Sequence, residues 1–398
     1  MKFHSKAIII AILVSMSCSV HSNISTNESD SKMNFWSTQV KGANVFNHEV
    51  DRDLIIASKK YGVRFIRLSP DKFSSKQRDF LIGNADHYKG LVPEDLAHLK
   101  NILDICFDEN MPVVLTMLSL PGSRWKQNNK NIDDLRIWTD PKFQNQAAQF
   151  WQDLALALKD HPAIVGYNIL NEPHPERVFD ASSTEIHHKK QDTVQMKLFE
   201  FYNKVTESIR MVDKITPIIV DSSSYGDAQC FEKLQPIPFN NVLYSFHIYE
   251  PFIYTNLALN QGKYSYPGNI ASVTDKSKTE YWDRKKLKSY MDPVRKFQAK
   301  YNIPSSQILV GEFGGHRTSK GIHHYFKDLT GIFNEYGWHH AVYSFREDTW
   351  DGMDYELGSK NLGWSYWKAV EEGKIPKKAY EPQNQIFTVL KKEWQSQG

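Results

Sequence analysis

Eight short runs of mostly apolar residues recur along the chain, and they constrain its fold more than any other feature. Nearly continuous apolar runs are typical of parallel strands that are buried on both faces. Helical patterns separate most of these runs, and alternating strands and helices predict a parallel α/β fold. Eight strands favour a single (β/α)8 TIM barrel, with a doubly wound open sheet as the alternative. The runs cover residues 40–46, 63–68, 112–118, 164–170, 216–221, 242–248, 308–312 and 341–346.

The helical patterns have apolar residues three or four positions apart, which is the period of an amphipathic helix. In the clearest one, Pro93 precedes Leu96, Leu99 and Leu103, and proline is favoured in the first turn of a helix. Further helices are predicted within residues 140–160, 193–212, 287–301 and 322–336, with one short helix near 227–234. The segments 254–282 and 351–382 are expected to be long loops at the barrel rim.

The N-terminus has the pattern of a secretory signal peptide. Lys2 and Lys6 precede the apolar run 7–14, and residues 20–22 offer a cleavage site before Asn23. The run is too short to span a bilayer, although an N-terminal anchor is the alternative. We therefore expect residues 1–22 to be removed and the protein to be secreted, to the periplasm or the extracellular space. No membrane association is expected after cleavage.

The remaining chain is expected to form a flexible polar leader, residues 23–35, and one domain, residues 36–398. Two cysteines follow the predicted signal peptide, Cys106 and Cys230. Two cysteines do not make a disulfide framework, so isolated buried thiols are the simpler interpretation. A net charge of +3 does not indicate a nucleic-acid partner or a polybasic membrane surface. We expect a monomer.

Two glutamates each end an apolar run and are followed at once by a residue that breaks a strand. Glu172 precedes Pro173, and Glu312 lies just before Gly314 and Gly315. A strand that ends in this way delivers its carboxyl group to one rim of a sheet or barrel. Two carboxyl groups at one rim are the minimum needed to cleave a glycosidic bond, one as general acid and one as nucleophile.

Other polar and aromatic residues fall at the same predicted strand ends. They are Arg67, Asn171, His247, Tyr249 and the cluster 345–350. An arginine beside a carboxylate keeps it ionised by lowering its pKa, an amide can bind a sugar hydroxyl, and Tyr249 can hold the nucleophile's second oxygen. Taken singly, each could be an ordinary structural residue. Their joint position at the active rim of a barrel favours a two-carboxylate hydrolase.

These residues resemble those of glycoside hydrolase family 5, the cellulase family of retaining (β/α)8 enzymes. The matching segments are 63–68, 171–173, 246–249 and 310–315, and the resemblance covers nearly all of the chain after the signal peptide. The resemblance implies that Glu172 is the acid/base and Glu312 the nucleophile. It implies a supporting role for Arg67, Asn171 and the pair His247 and Tyr249. It also implies hydrolysis of β-linked glucans, mannans or related glycans with no metal or other cofactor.

The sequence departs from the family pattern at two strand ends. Many members have a histidine at the end of the third strand, where this chain has Leu118. Many also have a tryptophan at the end of the eighth strand to stack on the sugar. Here that strand is expected to end at Phe345, and Trp350 is the candidate for the stacking residue, with simple packing in the loop as the alternative.

The departures affect the expected substrate more than the expected reaction. A cellulase-like, endo-acting β-glucanase is the first interpretation. A β-mannanase or an exo-β-1,3-glucanase of the same family remains open, and a non-catalytic carbohydrate-binding barrel is the third alternative. Intact Glu172 and Glu312 argue against the third, since binding alone does not require both acids. The expected partner is therefore a polysaccharide or oligosaccharide.

Overall fold

The computed structural model describes residues 29–179, 184–273, 275, 277–374 and 376–396. The predicted signal peptide lies outside these residues, as does the first part of the predicted leader. The strands are β1 (Lys41–Val45), β2 (Ile66–Leu68), β3 (Val113–Thr116), β4 (Ile164–Asn168), β5 (Ile218–Asp221), β6 (Val242–Ile248), β7 (Gly268–Ala271), β8 (Thr279–Trp282), β9 (Ile308–Phe313) and β10 (His339–Val342).

Parallel strands close into a barrel in the order β1-β2-β3-β4-β5-β6-β9-β10, with β10 paired to β1. This closure confirms the predicted (β/α)8 barrel and excludes the open sheet. The other two strands, β7 and β8, form an antiparallel hairpin inside the predicted rim segment 254–282. Every barrel strand is buried along its full length, as expected when helices cover the outer face.

The helices follow the strands around the outside of the barrel. They are α1 (Ser29–Asn34), α2 (Arg52–Lys60), α3 (Pro93–Asp108), α4 (Arg136–Thr139), α5 (Pro141–Leu158), α6 (Thr184–Val212), the single turn α7 (Ser223–Gly226), α8 (Phe252–Thr255), α9 (Leu257–Asn260), α10 (Arg284–Tyr290), α11 (Asp292–Tyr301), α12 (Ile322–Tyr336), α13 (Trp364–Glu371) and α14 (Gln385–Gln395). No helix in the described part of the chain has the length and hydropathy that a bilayer crossing requires.

The predicted rim segment 351–382 contains a helix, α13, and the predicted helix 193–212 begins earlier, at Thr184. Two further predicted elements differ in how they are divided or where they end. The helix predicted over 287–301 is divided into α10 and α11 next to Pro293, because proline has no N–H to continue the hydrogen-bond ladder. The last strand was predicted to extend through 346, but β10 ends at Val342. Beyond it, Phe345 turns away from the barrel interior and packs 6.3 Å from the ring of Trp394 in α14.

The barrel interior changes from apolar to polar along the strands. Alternate residues of a strand face the same side, so one strand contributes to successive interior layers. On β3, Val114 belongs to an apolar cluster at the base while Thr116 belongs to the polar layer above it. On β6, Leu243 lies in the same basal cluster, Ser245 is buried above it, and His247 reaches the carboxyl end.

Trp36 closes the base of the barrel. Its indole is fully buried, packs in the basal cluster with Phe65, and donates a hydrogen bond from Nε1 to the Val165 carbonyl oxygen at 2.9 Å. The residues just before it, within the predicted leader, form α1, and Lys32 donates to the Lys159 carbonyl oxygen at 3.0 Å. The described end of the leader is therefore packed against the barrel.

Cys106 and Cys230 are separate buried thiols, which confirms the simpler interpretation of the sequence. Burial raises the pKa of each to about 12.

Replacement of Trp36 by alanine is expected to reduce the free energy of unfolding by about 3–5 kcal/mol, since it empties a fully packed site. Urea unfolding followed by circular dichroism measures the change. Trp364, which is 77% exposed, is the matched control, and its replacement by alanine is expected to change stability by less than about 0.5 kcal/mol. Equal effects of the two substitutions would contradict the assigned role of Trp36.

Candidate active site

A cavity of about 720 Å³ opens at the carboxyl ends of the barrel strands, where enzymes of this architecture place their chemistry. Most of the residues predicted from the sequence line it, namely Asn171, Glu172, His247, Tyr249, Glu312 and Trp350. Arg67 lies directly beneath the cavity, fully buried, and contacts both Glu312 and Asn171. The structure thus brings all seven predicted residues to one site.

The two glutamates face each other at this cavity. Glu312 lies within β9, and Glu172 follows β4 with a backbone φ of 52°, a left-handed conformation that non-glycine residues adopt at some cost. One carboxylate oxygen of Glu172 lies within 4.8 Å of one of Glu312. Carboxyl groups in retaining glycosidases are about 5–5.5 Å apart, and those in inverting enzymes about 6.5–9.5 Å. The observed proximity fits the retaining arrangement.

Two hydrogen bonds hold the carboxylate of Glu312. Its Oε1 accepts a hydrogen bond from Arg67 at 2.8 Å, and its Oε2 accepts one from the Tyr249 hydroxyl at 2.8 Å. Burial raises the pKa of Glu312 and the Glu172 charge adds to this, while His247, Arg67 and Tyr249 act in the opposite direction. Arg67 therefore lowers this pKa as expected from the sequence, but burial outweighs its contribution.

His247 lies between the two glutamates. Its Nδ1 is 2.9 Å from Glu172 Oε1 and 3.9 Å from Glu312 Oε2, and its Nε2 is 3.5 Å from Asp221 Oδ2. Burial alone would lower the pKa of His247, but the charges of Glu312, Asp221 and Glu172 raise it above its usual value. The imidazole can therefore be protonated where it lies between the two carboxylates. Its contact with Glu172 fixes the position of that side chain.

Four residues that support Arg67 were not predicted from the sequence. Arg67 donates from Nη1 to Asn44 Oδ1 at 2.9 Å and from Nη2 to Asn168 Oδ1 at 2.6 Å. Thr116 Oγ1 lies 3.4 Å and Asp221 Oδ2 lies 3.6 Å from Nη2. Each is a polar residue in or at the end of an apolar strand, and Asp221 is the last residue of β5. That pattern is the signal that could have identified them.

Apolar and aromatic side chains form another part of the cavity lining. Phe46, Leu118 and Tyr343 form a small buried cluster, and Trp125 and Tyr249 pack against it. The residue that directly follows the last barrel strand is Tyr343, whose ring lies 5.4 Å from that of Phe46.

The sequence-based placement of Phe345 at the end of that strand is therefore wrong. Tyr343 supplies the aromatic ring there, and Phe345 does not line the cavity. Trp350 does line it, with its ring 6.2 Å from that of Tyr343, and its role as a stacking platform remains a prediction.

Two further acids, Asp227 and Glu250, line the cavity beside the loops that follow β5 and β6. Burial, with the Asp227 charge, raises the pKa of Glu250 to about 8. A carboxyl group that keeps its proton near neutral pH can donate a hydrogen bond to a sugar oxygen.

Glu172, His247 and Glu312 also present three possible metal-ligand atoms within 4.8 Å of one another. The sequence-based expectation that no metal takes part remains a prediction.

Comparison with known proteins places this site in a family. The family described as "Cellulase (glycosyl hydrolase family 5)" matches residues 26–372, which is most of the chain. The chain belongs to glycoside hydrolase family 5.

The individual relatives of this family 5 enzyme are distant. A β-xylosidase from Phanerodontia chrysosporium is 28% identical over 172 residues, which are 41% of this chain and 31% of that protein. Endoglucanase C from Acetivibrio thermocellus is 22% identical over 303 residues, or 70% of this chain and 80% of that protein. Endoglucanase Cel5A from Thermotoga maritima has the same fold, with a TM-score of 0.63, 15% identity, and coverage of 91% of this chain and 99% of that one.

Family membership makes this protein a glycoside hydrolase of the retaining type. Where many members of family 5 have a histidine, the cavity has the apolar side chain of Leu118, 7% exposed. Its backbone N–H donates to Asp71 Oδ2 at 2.9 Å. The site therefore lacks that histidine's hydrogen bonds to a bound sugar.

Tyr249→Phe is expected to move the acidic limb of the kcat/KM profile upward by about 1–2 pH units. The lost hydrogen bond to a charged group is worth about 1.5–3 kcal/mol, and one pKa unit is about 1.36 kcal/mol. Because the tyrosine hydroxyl lowers the pKa of Glu312, its removal leaves that carboxyl protonated at higher pH. An aryl β-glycoside with a good leaving group reports this limb without requiring the general acid.

Tyr225→Phe is the matched control, since Tyr225 lines the same cavity and its hydroxyl has no assigned contact with Glu312. An unchanged acidic limb in Tyr249→Phe would contradict the assigned contact.

Proposed function

We propose that this family 5 hydrolase cleaves β-glycosidic bonds of a polysaccharide, with a β-glucan as the first candidate. The observation that carries the proposal is the pair Glu172 and Glu312: one oxygen of each lies within 4.8 Å of the other, at a cavity lined by aromatic rings. Aromatic side chains suit the apolar faces of sugar rings, and the polar residues between them suit hydroxyl groups.

The proposed roles follow from the environment of each carboxyl group. Glu312 has only 6% of its side chain exposed and accepts hydrogen bonds from Arg67 and Tyr249, which orient an ionised nucleophile toward the anomeric carbon. Glu172 is 28% exposed and bonded to His247, and it protonates the departing oxygen. It then removes a proton from the water that hydrolyses the glycosyl–Glu312 intermediate.

The names and titles of the similar proteins give several different sugars. The relatives include an endoglucanase and a β-xylosidase, and Thermotoga maritima Cel5A has been crystallised with mannotriose and with cellobiose. A β-mannanase or a β-1,3-glucanase is therefore the second candidate. A non-catalytic binding barrel has less support, because such a protein does not need two carboxyl groups held this close.

A panel of β-1,4-glucans, β-1,3-glucans, mannans and xylans with product sizing tests the proposal. We expect reducing sugar from a β-glucan, and strong loss of it in Glu172→Gln, by about 10²–10⁴-fold, and in Glu312→Gln, by more. Glu335→Gln is the control, since Glu335 pairs with Arg284 on the outer helices, and it should retain activity. Wild-type protein that releases sugar only from mannan would favour the second candidate.

Azide rescue of the alanine variants assigns the two roles separately. With an activated aryl β-glycoside, Glu172→Ala still forms the glycosyl intermediate, so azide should give the β-glycosyl azide. In Glu312→Ala, azide replaces the nucleophile and should give the α-glycosyl azide. The opposite stereochemistry in the two variants would exchange the assigned roles, and activity within a few-fold of wild type in either Gln variant would remove the assignment.

Secretion and a monomeric state are also proposed. The support for secretion is the N-terminal pattern described above, and the polymeric substrate, which does not enter cells, is consistent with it. Mature protein recovered from the medium or periplasm is expected to begin near Asn23 and to elute as a monomer, with a mass below the 46.2 kDa of the whole chain. Retention of residues 1–22 or elution as a dimer would contradict these proposals.

A further inference from the structure

The cavity extends to both sides of the line that joins Glu172 to Glu312. On the side of β5 and β6 is a set of residues that we call the open arm: Ser224, Tyr225, Asp227, Glu250, Phe252 and Asn256. On the side of β3, β1 and β10 is a set that we call the closed arm: Phe46, Leu118, Trp125, Tyr343, Trp350 and Met353. A glycan chain that is cleaved at an internal bond must extend out of the cavity through both arms.

Lys72 joins the two tryptophans of the closed arm. Its Nζ lies 5.6 Å from the ring centroid of Trp350 and 6.0 Å from that of Trp125, distances at which a cation attracts the face of an indole. The same Nζ is 2.9 Å from Glu347 Oε1 and 3.1 Å from Thr349 Oγ1. Only 5% of the Lys72 side chain is exposed, so this cation is buried behind the rim that it connects.

Glu347 connects this rim to the floor of the closed arm. Its side chain is fully buried, and its Oε2 accepts hydrogen bonds from the Tyr343 hydroxyl at 3.2 Å and from Ser344 Oγ at 3.3 Å. Breaking a buried pair such as Lys72–Glu347 is costly, since it leaves a charge without its partner. The tyrosine on the floor and the tryptophans at the rim are therefore held as one unit.

The loop after β1 is tied to the same unit. The backbone N–H of His48 donates to Asp348 Oδ2 at 2.6 Å, and Asn47 Nδ2 donates to the Arg346 carbonyl oxygen at 3.0 Å. Loops from β1, β2, β3 and β10 thus meet across this end of the cavity. Loops that are cross-linked by buried ion pairs do not part readily to admit a polymer.

We infer that the closed arm ends the cleft, so that the enzyme removes units from the end of a glycan chain, with Lys72 as the positioning residue that keeps this arm closed. The inference rests on the proposed function and departs from the endo-acting mode expected from the sequence. A sugar in the closed arm must then be the terminal unit of its chain.

The geometry of the acids indicates which chain end enters. In retaining chemistry the glycosyl unit stays on the nucleophile while the leaving group departs from the side of the acid. Glu172 is the more exposed acid, at 28% against 6% for Glu312. The leaving group therefore departs past Glu172, and the closed arm holds the non-reducing end.

Oligosaccharides blocked at one end test the inference with the wild-type enzyme. Oligosaccharides of the sugar that the panel identifies are either reduced at the reducing end to alditols or capped at the non-reducing end, by a 4,6-O-benzylidene group on a hexose or a 4-O-benzyl group on xylose. We expect the alditols to be cleaved and the capped ones to react at least about a hundredfold more slowly, because the cap has no space in the closed arm. Similar rates for the two would overturn the inference, as would a fall in polymer viscosity that precedes the release of reducing ends.

Failure of the proposed function has a different result. The proposed function fails if the enzyme cleaves none of the substrates: the two blocked forms, the unblocked oligosaccharides and an aryl β-glycoside. This inference then fails with it. Cleavage of unblocked oligosaccharides together with equal cleavage of both blocked forms removes the chain-end inference alone.

Lys72→Met tests the positioning role. We expect cleavage of the capped oligosaccharides to rise at least about tenfold relative to cleavage of the alditols, a ratio that cancels any general loss of activity in the variant. Lys368→Met is the matched control, because Lys368 lies 4.9 Å from the ring of exposed Trp364, and it should leave the ratio unchanged.

The double variant Lys72→Met with Glu347→Gln removes both charges of the pair, and it keeps the test valid if the single variant folds poorly. Thermal unfolding identifies the variants that are folded. A folded Lys72 variant that still rejects the capped oligosaccharides as strongly as wild type would overturn the role of Lys72.

Discussion

The buried guanidinium of Arg67 is the interaction on which the rest of the site depends. It contacts two carboxylates, that of the proposed nucleophile Glu312 and that of Asp221. Its N–H groups also donate to three amide oxygens, those of Asn44, Asn168 and Asn171. Arginine can fill this position because its planar fork presents five donors in fixed directions. A buried cation with every donor satisfied fixes the acceptors around it, and these acceptors come from several different strands.

The barrel makes this arrangement possible by separating its interior into layers. The basal layer is apolar and closed by Trp36, the next layer is polar and organised by Arg67, and the cavity lies above both. Each layer uses alternate positions of the same strands. The apolar basal layer thus keeps water away from Arg67, whose charge faces the Glu312 carboxylate on the cavity side. The electrostatic attraction between the two is therefore stronger than the same contact would be in water.

The sequence allowed the barrel and much of the site to be predicted. Whether a given element could be predicted depended on the pattern of its residues. Strands buried on both faces appear directly as apolar runs, so six of the eight predicted runs contain their strand and a seventh, 308–312, ends one residue before β9 does. Glu172 and Glu312 were identifiable because each ends such a run. The last strand was misplaced because residues 343–346 alternate aromatic and polar side chains, which is typical of a strand, although the chain there turns outward. The sequence also carries no sign that Lys72 pairs with Glu347, 275 positions later, because loop conformations determine that contact.

Another consequence follows from Cys106 and Cys230. With a pKa near 12, each thiol is a thiolate in only on the order of one molecule in 10⁵ at neutral pH, and oxidants and disulfides react with the thiolate. The native protein has no disulfide among the described residues, and the two thiols found there are almost unreactive. Its maturation should therefore proceed equally well in reducing and oxidising surroundings, independently of any disulfide-forming catalyst.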